Sequence, residues 1–252
     1  MITETMTSRE IYDNIVNDSH KVLIWMEKCR PKAIQLFKKE RRFPNCKCFE
    51  YDNPSSRNRY IVYFYVEYSS CVDNPTCGHY CIVFFNSQRY IVNPQLMPYK
   101  HTETRDLQPV RSLMVYTYHF FQRYNERFLK KKGLSPNELV ACYLSRNRLI
   151  TPIEVTEKIN RNKSKYGDWN QAFKIRDGFC FSCRFLEGKN VEEGDPNKDY
   201  ISAISIVFTT FISELDQSPE QKMEIAEQNE AVWNRYKKEV LSLSNTTLRL
   251  ED

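Results

Sequence analysis

Apolar residues recur at helical spacing from the start of the chain. Ile11, Ile15, Val22 and Trp25/Met26 form one series, and Ala33, Ile34 and Phe37 continue it, which predicts helix over residues 7–42. Pro31 is expected to stop the first piece near Cys29–Arg30 and to open a second. The KKERR run at Lys38–Arg42 reads as a solvated helix end, and Asn53–Ser56 (NPSS) as a loop. The period then becomes strand-like. Arg59–Tyr68 (RYIVYFYVEY) is dense in aromatic and β-branched residues and predicts a strand buried on both faces. Ser69–Cys77 reads as a loop. Tyr80–Phe85 and Arg89–Val92 flank Asn86-Ser87-Gln88, a hairpin with a tight connection. Pro94 and Pro98 are expected to end this sheet segment and to start a linker running to about Gln108.

Helical spacing returns over Val110–Lys132, read as one helix that Gly133 terminates. Leu113, Thr117, Phe120, Phe121, Tyr124 and Phe128 share its core side, while Tyr116, His119, Arg123 and Arg127 lie along one flank. Ser135-Pro136-Asn137-Glu138 carries a capping serine, a first-turn proline and a glutamate at the third position, so a short helix follows to about Ser145. Thr151-Pro152-Ile153-Glu154 repeats that signal and predicts another short helix to about Asn162. Phe179–Leu186 and Tyr200–Ile212 read as the last two strands. Ser218-Pro219-Glu220 starts a final helix to about Leu241, with Met223, Ala226, Val232, Tyr236 and Val240 among its expected buried residues. The pattern predicts an α+β fold in which a mainly antiparallel sheet of about five strands packs against helices, with helical N- and C-terminal segments. A single domain over residues 1–252 is expected, since two or three strands alone would be marginal. The alternative division is 1–98, with the N-terminal helices and three strands, and 109–252, with the central helix, the last strands and the C-terminal helix.

Composition narrows the functional classes. Hydrophobic residues make up 41% of the 252 positions and aromatics 13%, which excludes general disorder. Only 6 glycines are present, and neither GxGxxG nor GxxxxGK[ST] occurs, which argues against the common nucleotide-binding loops. No apolar run approaches the roughly 20 residues that span a bilayer. The opening MITETMTSREIYDNIV lacks the pattern of a secretory signal, so the 9 cysteines are expected as reduced thiols in a cytoplasmic protein of bacterial style. The net charge of +5 is unevenly spread: residues 1–100 carry +4, 101–176 carry +8 and 177–252 carry −7. A basic middle fits a face for a polyanion; equally, the acidic end would neutralise it by packing there.

His119, Arg123 and Arg127 follow at steps of four, which on a regular helix stacks an imidazole and two guanidiniums in one stripe suited to a phosphate or carboxylate. The plain alternative is a helix flank whose arginine stems cover the core edge. The segment YTYHFFQRYNERFLKKKGLSPNELVACYL resembles the His-x3-Arg-x3-Arg helix and Ser-Pro-started short helix of small bacterial domains related to RelE-type and BrnT-type toxins. That resemblance covers about residues 110–212. It implies a fold shared with metal-independent ribonucleases, with His119 as acid or base and Arg123 and Arg127 as phosphate clamps. Such toxins are more compact, and their catalytic residues often lie on strands. The last strand here, YISAISIVFTTFIS, carries no charge, and Arg184 is the one basic residue on its neighbour.

Other constellations point elsewhere. Cys77-Gly78-His79 with Asn93-Pro94 resembles the Gly-His strand of transglutaminase-like and papain-like cysteine hydrolases. That chemistry needs a thiol at a helix N-terminus. Cys29 is expected at the opposite helix end, and Cys46 and Cys48 lead into a loop. Cys46-x-Cys48, Cys71, Cys77 and Cys81 with His79, and Cys180-x2-Cys183 are the candidate metal pairs; Cys180 and Cys183 within a strand face opposite sides, and Cys71, Cys77 and His79 around a loop could converge but lack a clear partner pair. Neither a metal nor another cofactor is expected. Arg146, Arg148, Arg161, Lys163 and Lys165, with Lys158 nearby and Tyr166 and Trp169 for stacking, form a candidate nucleic-acid surface. The sequence-level reading is therefore RNA binding, or metal-independent RNA processing, through the His/Arg helix face. A non-enzymatic protein-interaction domain is the competing class, and a cysteine hydrolase the third.

Overall fold

The computed structural model describes residues 1–100, 107–160, 171–189 and 200–247. Its centre is a mixed nine-stranded sheet, where the sequence pattern predicted about five mainly antiparallel strands. Strands β1 (Asn45–Asp52), β2 (Arg59–Val66), β3 (Thr76–Phe85), β4 (Gln88–Lys100) and β5 (Leu107–Thr117) are antiparallel neighbours in chain order. The chain then places β6 (Thr151–Ile153) at the far edge and returns through β7 (Gln171–Ile175) and β8 (Gly178–Lys189) to β9 (Tyr200–Ser213). β9 closes the sheet by pairing in parallel with β5, from Ser112↔Ile204 to Tyr116↔Phe208.

Both faces of the sheet are covered, which is why β2 carries no polar alternation. Tyr60, Val62, Phe64 and Val66 pack with Ile11, Ile15, Val22, Ala33 and Phe37 of helix α1 (Ser8–Phe37). Ile61, Tyr63 and Tyr65 face the other way, into a core shared with α2 (Tyr118–Tyr124) and α3 (Pro136–Arg146). There the rings interlock: Tyr116 stacks on Phe208 at 4.4 Å between centroids, and Tyr143 meets Phe120 and Tyr124 edge-on at 5.0 Å each. A third cluster joins Phe179 and Phe181 of β8 to Ile225 of helix α4 (Pro219–Thr247).

Pro31 does not divide the first helix; α1 runs through it as one element, capped by Thr7 and Glu10 in a reciprocal box. Proline removes one helical hydrogen bond, but Met26 and Cys29 before it and Ala33 and Phe37 after it are held on the same sheet face. Packing decides against the local break. Pro94 and Pro98 likewise do not end the sheet, since β4 continues to Lys100 and pairs with β5 as far as Lys100↔Leu107. The β3–β4 hairpin closes at Phe85↔Gln88 around Asn86 and Ser87, both at positive φ, so the even-numbered residues of β4 turn their backbone groups toward β3. Pairing with β3 stops at Cys81↔Val92, and beyond it the prolines have no ladder bond to forfeit.

The predicted Val110–Lys132 helix is two elements. Residues up to Thr117 form β5, and helix begins only at Tyr118. Val110, Met114 and Tyr116 enter one core and Leu113 and Val115 the other, so a strand buried on both faces imitates helical apolar density. Thr151-Pro152-Ile153 is strand β6 instead of a helix start, because it pairs with β7. β1 and β7 had no counterpart in the sequence reading. The final helix α4 buries Gln221 and Ile225, whereas Met223, Ala226 and Val232, expected inside, are exposed; the side chains of Tyr236 and Val240 lie outside the description. The acidic end does meet the basic middle: Lys158 pairs with Glu224 at 3.2 Å, and Lys174 with Glu214 at 2.9 Å.

Candidate functional site

Helix α2 starts abruptly out of β5. The Thr117 hydroxyl accepts from the Phe120 N–H at 3.2 Å, and Phe120, Phe121 and Tyr124 anchor the helix in the core. His119, between the cap and those anchors, is left exposed. After Tyr124 the helix widens into a π-turn over Asn125–Leu129, which Lys130 ends in the left-handed conformation.

That change of register separates the predicted stripe. His119 and Arg123 do come together, with the Arg123 Nε donating to His119 Nε2 at 3.3 Å. In this arrangement Nε2 accepts, so the neutral ring carries its proton on Nδ1. Arg123 also pairs with Glu126 at 2.8 Å. Arg127 falls in the π-turn and donates to the carbonyl of Phe211 near the end of β9. It acts there as a strap between helix and strand.

A cleft of about 390 Å³ opens beside His119. Its other walls are Gln88, Arg89 and Tyr90 at the start of β4, Thr117 and Tyr118 at the α2 cap, and Pro136 at the start of α3. The β4–β5 register, which sets Tyr90 opposite Thr117, brings the two segments together. Arg89 crosses toward α3, where its guanidinium and the Tyr80 hydroxyl both donate to Asn137 Oδ1. The Arg89 Nε is buried without a hydrogen-bond partner among the described residues. A buried guanidinium N–H left unpaired carries a substantial desolvation cost. Among the described residues no carboxylate lines the cleft, and a cation, an imidazole and two phenol rings converge on it.

The other predicted residues are placed differently. Arg146 is locked at the end of α3: its guanidinium is bidentate to Asp177, at 3.0 and 2.8 Å, reaches Glu67 at 3.2 Å, and lies over the Phe128 ring. The Asp177 hydrogen bonds push its pKa up, while burial pulls against them. Arg148 is exposed just beyond. Arg161, Lys163, Lys165 and Trp169, with Tyr166, lie outside the described residues.

Cys77 and His79 share one face of β3 toward α1, where Arg30 donates to Cys77 Sγ at 3.3 Å. Burial lowers the His79 pKa, and its ring meets Tyr60 edge-on. Cys29 lies in the core under α1. Cys46, whose Sγ lies 3.7 Å from Cys142 Sγ on the opposite face, turns its thiol to the Glu138 carbonyl in the first turn of α3, where its neighbours and burial raise its pKa instead of lowering it. Burial also pushes the Cys81 thiol up to about 12. Among the described residues, no group of three or more His, Cys, Asp or Glu side chains is arranged to hold a metal ion. No described helix is long and apolar enough to cross a membrane.

Comparison with family models, curated proteins and solved structures returned no match. Arg89, Tyr90 and Tyr118 were missed by the sequence reading. Nothing in the local sequence links residues 88–90 to 117–119; the strand register does.

Proposed function

We propose that the protein binds RNA through the His119 cleft, with a backbone phosphate held by Arg89 and the Nδ1–H of His119 and a base stacked on Tyr118 or Tyr90. The observation that carries this reading is the half-buried Arg89 on the wall of a cleft: its Nε has no partner, and the cleft lining has no carboxylate, among the described residues. A phosphate oxygen supplies the missing acceptor, and a charge-assisted bond of this kind is about twice as strong as a neutral one. Aromatic faces beside a cation suit single-stranded nucleic acid, since each base has a face to stack. The arrangement departs from the expected active site at Arg127, the second phosphate clamp, which is turned away to Phe211. Binding without cleavage is therefore favoured over RNA processing, and the toxin-like resemblance contributes the ligand class alone.

Fluorescence anisotropy with a short single-stranded RNA tests this, in EDTA and across a salt series. Wild type should bind with an affinity that falls steeply with salt. Arg89→Ala and His119→Ala should each weaken binding by about tenfold while leaving the thermal midpoint nearly unchanged. Binding that both substitutions leave intact refutes the site, and absence of binding at low salt refutes the function. RNA cleavage by wild type that His119→Ala abolishes would replace binding with processing.

A second reading, a protein-interaction domain, draws on the open side of α4. Met223 is 64% exposed there, and Leu215, just before the helix, is 81% exposed. Large apolar side chains left this open are a common mark of contact surfaces.

A further inference from the structure

The strands of the first hairpins differ in length. β2 begins at Arg59, paired with Ile82, whereas β3 continues to Phe85. The edge of β3 beyond Ile82 has no strand neighbour on the β2 side, and the N-terminal segment comes in there instead. The Ile2 N–H donates to Asn58 Oδ1 at 2.9 Å, and the Ile2 side chain is buried. Between this segment, the Asn53–Asn58 loop and the end of β3 lies a cavity of about 540 Å³, well within the size range of small-molecule sites.

Its lining is divided by chemistry. Ile2 and Val83, which share the core on the α1 side, supply an apolar floor, each less than a tenth exposed. Asn53 and Arg57 supply donors. Asn53 is 1% exposed, and its Nδ2 has no hydrogen-bond partner among the described residues, although its Oδ1 accepts from the Ser55 N–H. Asn58, on the same loop, shows the contrast: its Oδ1 takes the Ile2 N–H, and its Nδ2 donates to Asn14 and Asp18. The loop therefore satisfies one buried amide completely and leaves the other with an open donor beside a cavity. Arg57 sits at φ 60 and is exposed, and its guanidinium has no partner among the described residues. Arg59 does not share that freedom, since Asp52 holds it at 2.9 Å.

We propose that this cavity binds a small organic monocarboxylate with an apolar body. A carboxylate presents two oxygens and about four lone-pair sites, which match a guanidinium fork and one amide N–H. The apolar body covers Ile2 and Val83. Arg59 is spent on Asp52, so Arg57 is the one cationic side chain left among the described lining residues, which suits a single negative charge better than a dianion. The site is separate from the His119 cleft, shares no lining residue with it, and stands or falls independently.

Calorimetric titration with hexanoate is the test, with acetate as the head group alone, hexylamine as the same body with the opposite charge, and inorganic phosphate as the competing anion. Wild type should bind hexanoate saturably at one site, acetate far more weakly, and hexylamine not at all. Arg57→Gly removes the guanidinium at a position whose φ suits glycine, so the fold should hold, and hexanoate affinity should drop by about tenfold or more. The proposal is overturned if hexanoate fails to bind wild type or binds Arg57→Gly equally well. Acetate or phosphate binding as tightly as hexanoate would likewise overturn it, because the apolar floor would then contribute nothing.

Discussion

Asp177→Ala should be among the most damaging single substitutions outside the apolar core. Asp177 lies in the tight turn between β7 and β8, and its carboxylate is 2% exposed. Oδ1 accepts from Arg146 Nη2 at 2.8 Å. Oδ2 accepts from Arg146 Nε at 3.0 Å, from the Tyr124 hydroxyl at 2.6 Å and from Asn147 Nδ2 at 3.1 Å. Its main-chain N–H donates to Asn147 Oδ1 at 3.1 Å. One side chain thus ties α2, the end of α3 and the β7–β8 turn together. Truncating it strands a guanidinium that is 15% exposed and leaves a buried phenol without its acceptor. Losing one member of a buried pair typically costs about 3–5 kcal/mol. Glu67 still reaches Arg146 at 3.2 Å, so the guanidinium keeps part of its compensation, and the lower end, about 3 kcal/mol, is expected.

Urea unfolding measures this directly, as a lower midpoint at unchanged slope. Asp177→Asn keeps the shape but loses the charge, and should cost nearly as much, since the bidentate contact to Arg146 needs a carboxylate. Arg146→Ala should also destabilise, while leaving RNA affinity per folded molecule unchanged. A loss below about 1 kcal/mol for Asp177→Ala, the ordinary net value of one neutral hydrogen bond, would show that the cluster does not hold α3 to the sheet.

Two further outcomes follow from the packing. Burial lowers the His79 pKa below its ordinary 6.5, so the unfolded chain takes up a proton that the folded chain resists. This contribution is fully present above about pH 6.5 and is lost as the pH falls below it, by at most about 1.4 kcal/mol per pH unit; His79→Asn should flatten that part of the stability profile, and an unchanged slope would refute the assignment. At Gly178, a Cβ would lie 2.1 Å from the carbonyl oxygen of Ile212, and φ is +155, so Gly178→Ala should destabilise by several kcal/mol, read by thermal unfolding. A midpoint equal to wild type would mean that the β8–β9 spacing there yields easily.

The legible parts of the fold were those where a local rule and the tertiary contacts agree. Ser135-Pro136 with Glu138 caps α3 as expected, and Asn86-Ser87 turns the β3–β4 hairpin. The double-faced burial of β2 followed from its unbroken apolar run. The failures share one cause. At Pro31, at Pro94 and along Val110–Thr117, the outcome depends on what lies across the sheet. A proline interrupts only if its missing donor had a partner, and an apolar run becomes strand or helix according to its neighbours. β1 and β7 are short and carry polar residues, so they become strands through pairing with β2 and β8.

The candidate sites teach the same lesson about charge. Arg127 and Arg146 stood out in the sequence by spacing and by clustering, yet the fold commits the first to a backbone carbonyl and the second to two carboxylates. Arg89 and Arg57 stood out in no pattern. What distinguishes them is an incomplete polar account among the described residues: Arg89 has a buried Nε without an acceptor, and Arg57 has no partner beside the buried Asn53 amide, whose Nδ2 has none either. Buried donors cost free energy when they stay unpaired, so Arg89 Nε and Asn53 Nδ2, each on a residue that lines a cavity, are where a ligand or an ordered water gains most by supplying an acceptor. Neither hypothesis needs the other. If RNA binding depends on Arg89 and hexanoate binding on Arg57, unpaired donors rather than cation spacing locate the functional surface of this fold. If neither ligand binds, unpaired donors do not locate ligand sites in this fold, and the two cavities are filled by solvent.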